Sequence, residues 1–124
     1  MTKEERLAKA NQMIRAIASC GRKFFAYQDR VSRFDVDGRG RVWFIDKYTQ
    51  KRIYTHYAGQ WRGFSDGGTL HGVAVALREF IIHGKQLRPT TFGPWPEWIC
   101  GGDLWGYGED MQSVRDAAKD LGIV

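Results

Sequence analysis

The sequence predicts an α+β fold: an antiparallel β-meander of three to four strands, with an N-terminal helix, a helix after the sheet and a short C-terminal helix. Three observations carry this reading. Apolar residues recur at helical spacing before residue 20 and again between residues 70 and 81. Between residues 31 and 57 the period drops to two. Tight-turn signals, Asp37-Gly38-Arg39-Gly40 and Thr49-Gln50-Lys51, separate the runs that alternate.

The first helix is expected over 3–19. Thr2 and Glu5 form a capping box, Leu7, Ala10, Ile14 and Ile17 make the apolar stripe, and Gly21 ends it. The opposite face, with Lys9 and Arg15, reads as solvated. Arg22–Gln28 and Val31–Val36 read as short β-rich segments, followed by strands Arg41–Tyr48 and Arg52–Tyr57. Trp61–Phe64, after the turn at Ala58-Gly59-Gln60, reads as a short edge strand. Asp66-Gly67-Gly68-Thr69 caps the second helix, whose buried stripe is Leu70, Val73, Leu77, Phe80 and Ile81, and Gly84 stops it. Residues 85–108 lack any sustained period. A last helix from Glu109 to about Asp120 places Met111, Val114, Ala118 and Leu121 on one face.

At 124 residues the chain is expected to form a single domain with a core that needs no staples. Cys20 and Cys100 are neither a disulfide framework nor a CxxC pair, so a reducing compartment is expected. The charged positions near the N-terminus interrupt any signal-like apolar run, and no stretch is long enough to cross a bilayer. The reading is cytoplasmic. The net charge of +5 is uneven, with 14 Lys/Arg against 6 Asp/Glu in residues 1–65 and 5 against 8 in residues 66–124. That asymmetry fits an acidic partner for the first half, or simply a soluble basic protein.

Alternation assigns the two faces of the meander. Phe34, Val36, Val42, Phe44, Ile53 and Tyr57 fall on the side that suits the helices. The other side collects Arg33, Arg41, Trp43, Lys47, Arg52, Tyr54 and His56. Cations interleaved with flat rings suit nucleic acid, where guanidinium and ammonium meet phosphate and rings stack on bases. An ordinary exposed antiparallel face, supported by cross-strand pairs, has the same composition.

No reaction is legible. Asp35-Val-Asp37-Gly38 begins like a calcium loop but lacks the later ligands, and a hairpin turn explains it. Ser65-Asp-Gly-Gly-Thr69 could present amides to an anion, but Asp66 would repel it and the phosphate-loop fingerprints are missing. His56, His71 and His83 have no zinc-type spacing with either cysteine, so no metal and no cofactor are expected. The loop 92–108 holds three of the five tryptophans. A loop of this length is either an interface or packed by its own side chains. Trp95, between Pro94 and Pro96, is expected to be its exposed ring, with Trp98 and Trp105 buried beside Ile99 and Leu104.

The α-β-β-β-α order is similar to double-stranded RNA-binding domains, although Thr69-Leu70-His71-Gly72 stands where those domains carry a basic cluster. The phrases Arg41-Val-Trp-Phe-Ile-Asp46, Arg52-Ile-Tyr-Thr-His-Tyr57, Trp61-Arg-Gly-Phe64 and Gly101-Gly-Asp-Leu-Trp-Gly106 resemble those of small bacteriophage and prophage proteins. That resemblance implies a non-enzymatic accessory protein that binds a host protein or nucleoprotein complex, as host-takeover and anti-defence inhibitors do. Two other expectations stand beside it. One is a nucleic-acid-binding domain using the basic aromatic face; the other is a small enzyme using His71 or His56 with a nearby carboxylate.

Overall fold

The structure, a computed structural model, describes residues 1–103 and 108–124. Helix α1 runs Lys3–Ala18, and Thr2 accepts the Glu5 N–H at 3.1 Å, the first half of the expected capping box. It buries Ala10, Met13, Ile14, Ile17 and Ala18, so the stripe is wider than the spacing indicated. The chain then forms a two-stranded sheet, β1 (Ala26–Tyr27) with β2 (Arg30–Val31), and a three-stranded meander, β3 (Arg33–Val36), β4 (Val42–Ile45) and β5 (Arg52–Tyr54), in the order β3-β4-β5. Helix α2 spans Gly68–His83 and ends on Gly84, whose φ of 69° is the left-handed conformation a Cβ disfavours. Two 3₁₀ turns, Pro89–Phe92 and Cys100–Gly102, precede α3 (Gly108–Asp120).

The meander register fixes the faces. Phe34 pairs with Phe44 and Phe44 with Ile53, and all three point into the core with Val42. Leu70, Val73, Leu77, Phe80 and Ile81 of α2 close that core, as do Met111, Val114 and Ala118 of α3. Edge-to-face contacts among Phe25, Phe34, Phe44 and Phe64 fill the space between sheet and helices.

One expected β segment is shortened to Ala26–Tyr27, and one expected strand is not a strand. Arg22–Gln28 is broken by Lys23, Phe25 and Gln28, all with φ between 52° and 63°. Phe25 accepts that conformation because its ring is fully buried, and its carbonyl takes the Ser32 N–H at 2.8 Å. Trp61–Phe64 is a turn closed by the Phe64 N–H on the Trp61 carbonyl, and it drops both rings into the core.

Helix α1 ties the other elements together through polar side chains. Asn11 reaches the edge of β3, accepting the Phe34 N–H at 2.7 Å and donating to the Phe34 carbonyl at 3.0 Å. Lys3 donates to the Gly40 carbonyl, Arg6 to that of Ile81 and Lys9 to that of Leu121. The α1 face expected to be solvated is therefore partly spent on capping carbonyls of the β3–β4 turn, of α2 and of the turn after α3.

Candidate functional site

The outer face of the meander is built by the positions that alternate with the core. Its first row is Arg33, Ile45 and Arg52, and its second is Asp35, Trp43 and Tyr54. Trp43 is the centre. Arg52 lies over its ring at 4.5 Å and Arg41 at 5.6 Å, while Tyr54 meets it edge-on at 5.2 Å. Arg33, Arg41, Trp43, Arg52 and Tyr54 are thus brought together as their alternation requires.

Two carboxylates, Asp35 and Asp37, share this face. The Arg52 guanidinium stands 3.7 Å from Asp35, and Arg41 donates to Asp37 at 2.8 Å. Asp37 also accepts the Trp43 indole N–H at 2.9 Å and the backbone N–H groups of Arg39 and Arg41. The indole bond, ahead of those from Arg41 and Arg39, holds its carboxyl well below the usual range. The Asp37 oxygens, which help make Asp35-Val-Asp37-Gly38 look like a calcium loop, are therefore occupied by the hairpin. Reading positions 33, 35 and 37 with the same period of two would have placed both acids beside the arginines.

Two expected placements are corrected. Lys47 is buried, because β4 ends at Ile45 and the following turn rotates the side chain inward. There it donates to Asp66 at 2.6 Å and to Ser65 at 2.8 Å. Tyr57, expected inward with Ile53, is exposed; the β5 ladder stops at Tyr54 and the chain turns out, stacking Tyr57 on Tyr54 at 6.1 Å and 23°. His56 is exposed but serves the sheet. Its Nε2 accepts the Val42 N–H at 2.8 Å while the Thr55 hydroxyl donates to the Val42 carbonyl, so two side chains replace the next rung of the ladder. Burial, then the positive charge of Arg78, lowers its pKa and keeps it a neutral acceptor.

The tryptophan loop is also arranged differently from expectation. Trp95 is half-buried: its backbone N–H donates to Gly102 and its indole to Thr90. Trp98, expected in the core, is 82% exposed in the turn between Pro96 and Ile99. Trp105 and Leu104 lie outside the described residues. Arg115 of α3 holds the loop's described ends, donating to Asp103 at 2.7 Å and to the Phe92 carbonyl at 3.0 Å.

The start of α2 departs from the expected cap. Gly67 is the N-cap, no side chain caps the helix, and its first turn carries no acid; Asp66, just before the N-cap, is held by Lys47. His71, one turn in, is packed edge-on against the buried Trp61 at 4.7 Å. Burial and then Arg78 lower its pKa. Among the described residues no three His, Cys, Asp or Glu side chains group as metal ligands.

The chain matches the YoqU family over residues 1–124. It belongs to the YoqU family. Neither the curated proteins nor the solved structures contain a match to it. Within this YoqU chain, among the described residues, no helix is long and apolar enough to cross a membrane.

Proposed function

We propose that this protein is a non-enzymatic accessory binding protein of phage type that acts by occupying the surface of a host protein or nucleoprotein complex, as a host-takeover or anti-defence inhibitor would. The observation that carries this reading is the outer sheet face. Trp43 lies beneath two arginines whose charge is balanced by Asp35 and Asp37, and the exposed rings of Tyr54 and Tyr57 extend it. Trp, Tyr and Arg are the residues that dominate protein-interface energetics, and rings already held by neighbours lose little freedom on docking. A polyanion groove needs unbalanced positive charge; here two carboxylates sit among Arg33, Arg41 and Arg52. The phage character of the proposal rests on the sequence phrases that resemble those of phage and prophage proteins.

The test is capture from a bacterial lysate, followed by reconstitution with the purified partner. Trp43→Ala and Tyr54→Ala should each weaken that complex by about 2 kcal/mol or more while leaving the fold intact. Unchanged affinity in both variants would refute the face as the interface. The competing reading, a nucleic-acid-binding domain, has exposed Arg33 and the half-open side chains of Arg41 and Arg52 in its favour. It would win if the captured species were a nucleic acid with a salt slope of about 0.9 per phosphate contact, reduced in an Arg33→Ala, Arg41→Ala, Arg52→Ala triple variant.

A further inference from the structure

The two edges of the meander differ. Phe34 turns its N–H and C=O outward from β3, and Asn11 of α1 takes both. In an antiparallel sheet successive residues turn their backbone groups to opposite sides, so this one contact sets the direction across all three strands. Phe34 and Phe44 are a pair without mutual bonds, Phe44 turns to Ile53, and Arg52 and Tyr54 turn their groups out of the sheet. Val42 conforms, since its N–H and C=O meet His56 and Thr55 on the β5 side. Among the described residues no backbone or side-chain group bonds to the outward N–H and C=O of Arg52 and Tyr54. Both residues are exposed, so the β5 edge presents two donors and two acceptors to solvent. The segment after β5 passes beneath it. Trp61 and Phe64 are buried in the core, and a Cβ at Gly63 would stand 3.7 Å from the inward Ile53 side chain.

We propose that β5 receives an extended acidic segment of the partner protein as a fourth strand of the meander. This rests on the reading of the outer face as a protein-docking surface and names the segment that docks there. Donors and acceptors alternate along the edge. A polypeptide backbone matches that pattern, whereas the phosphates of a nucleic acid only accept. Charge selects the side chains. Residues 48–65 contain no Asp or Glu but hold Lys51, Arg52 and Arg62. Asp35 balances Arg52 at 3.7 Å, while Lys51 and Arg62 are exposed and not ion-paired among the described residues. A second copy of this chain would set the same cations against one another, so it fits the edge less well than an acidic strand. In the added strand alternate side chains stand beside Arg52 and Tyr54 on the outer face, where a carboxylate meets Arg52. The residues between them turn inward beside Ile53, which favours apolar ones. Main-chain bonds give such a complex its affinity and the alternate side chains its selectivity.

An end-blocked Thr-Glu-Val-Glu-Val-Glu-Thr peptide, titrated into isotope-labelled protein, tests the edge without the partner. The backbone amide signals of Arg52 and Tyr54 are the readout, and saturable shifts at millimolar concentration are expected. Two analogues carry N-methyl groups, one on the glutamates and one on the valines. An added strand turns only alternate N–H groups to β5, so one analogue should lose at least about tenfold while the other binds like the parent. Loss in the glutamate set means antiparallel addition, and loss in the valine set means parallel addition. Lys51→Glu combined with Arg62→Glu should weaken the parent peptide several-fold and melt with the wild type. No shift at about 10 mM, where a millimolar site would be filled, overturns the proposal. So do equal affinities of the two methylated peptides, or unchanged affinity in the charge-reversed variant. Tighter binding of oligothymidylate would give the edge to nucleic acid, and self-association that protects the Arg52 and Tyr54 amides would give it to a second copy; either overturns the proposal. If the peptide fails while Trp43→Ala still weakens the captured complex, the face stands and the edge does not. If the peptide binds while Trp43→Ala and Tyr54→Ala leave that complex unchanged, the edge stands and the face does not.

Discussion

Replacing Asn11 with alanine tests whether the edge of the meander is closed by a side chain of α1. Phe34 turns its N–H and C=O away from β4, and Asn11 satisfies both, at 2.7 and 3.0 Å. Phe34 itself is buried, so water is not waiting to replace the amide. Each orphaned backbone group costs about 1–3 kcal/mol, the lower end applying if a water enters the space left by the side chain. The expected loss is therefore about 2–4 kcal/mol. A chain of this length has roughly 6–18 kcal/mol to lose, so the variant should fold, with a melting temperature lower by about 8–16 °C. Urea unfolding followed by tryptophan fluorescence, with Trp61 as a buried reporter, gives the difference directly. A midpoint shift worth less than about 0.5 kcal/mol at unchanged slope would mean the β3 edge is adequately solvated without Asn11. Asn11→Asp separates the two bonds: it keeps the acceptor for the Phe34 N–H and sets a carboxylate against the Phe34 carbonyl. It should destabilise at least as much as alanine.

Two further predictions follow from burial and charge. Trp98→Ala should change stability by less than about 0.5 kcal/mol, whereas Trp61→Ala should cost about 3–5 kcal/mol, both read by urea unfolding; equal effects would refute the placement of the two rings. His56 and His71 both have folded pKa values lowered from 6.5, so the unfolded chain takes up protons first as pH falls. Stability should be full above about pH 6.5 and decline below it until the folded pKa values are passed. Unfolding midpoints that do not change between about pH 7.5 and 5 would contradict this.

The helices were the most legible part of the fold. Thr2, Gly84 and the apolar stripes act within one or two turns of the chain, so spacing alone locates them. The meander was legible in its centre, where Phe34, Phe44 and Ile53 alternate with Arg33, Trp43 and Tyr54 on continuous ladders. Reading failed where a ladder ends. Lys47 and Tyr57 lie two and three residues past a strand terminus, and the period of two does not survive the turn. Phe25 shows the other source of error: burying its ring among Phe44 and Phe64 outweighs the backbone preference that would have made a strand. The cluster of Trp61, His71 and Arg78 combines a turn with two positions seven apart on α2, and only the tertiary fold brings them together.

The anchoring of α1 has a consequence in time. The Lys9 ammonium and the Leu121 carbonyl that receives it are 112 residues apart. At the usual rate of synthesis the second emerges roughly 6–22 s after the first. For that interval Met13, Ile14 and Ile17 lack the last helix to pack against, and a helix of this length is marginal alone in water. The nascent chain carries a partly open apolar stripe until residues near 121 have left the ribosome. Folding of this protein is thus expected to be a late event dominated by long-range closure, and its yield in a cell to depend on what shields α1 while it waits.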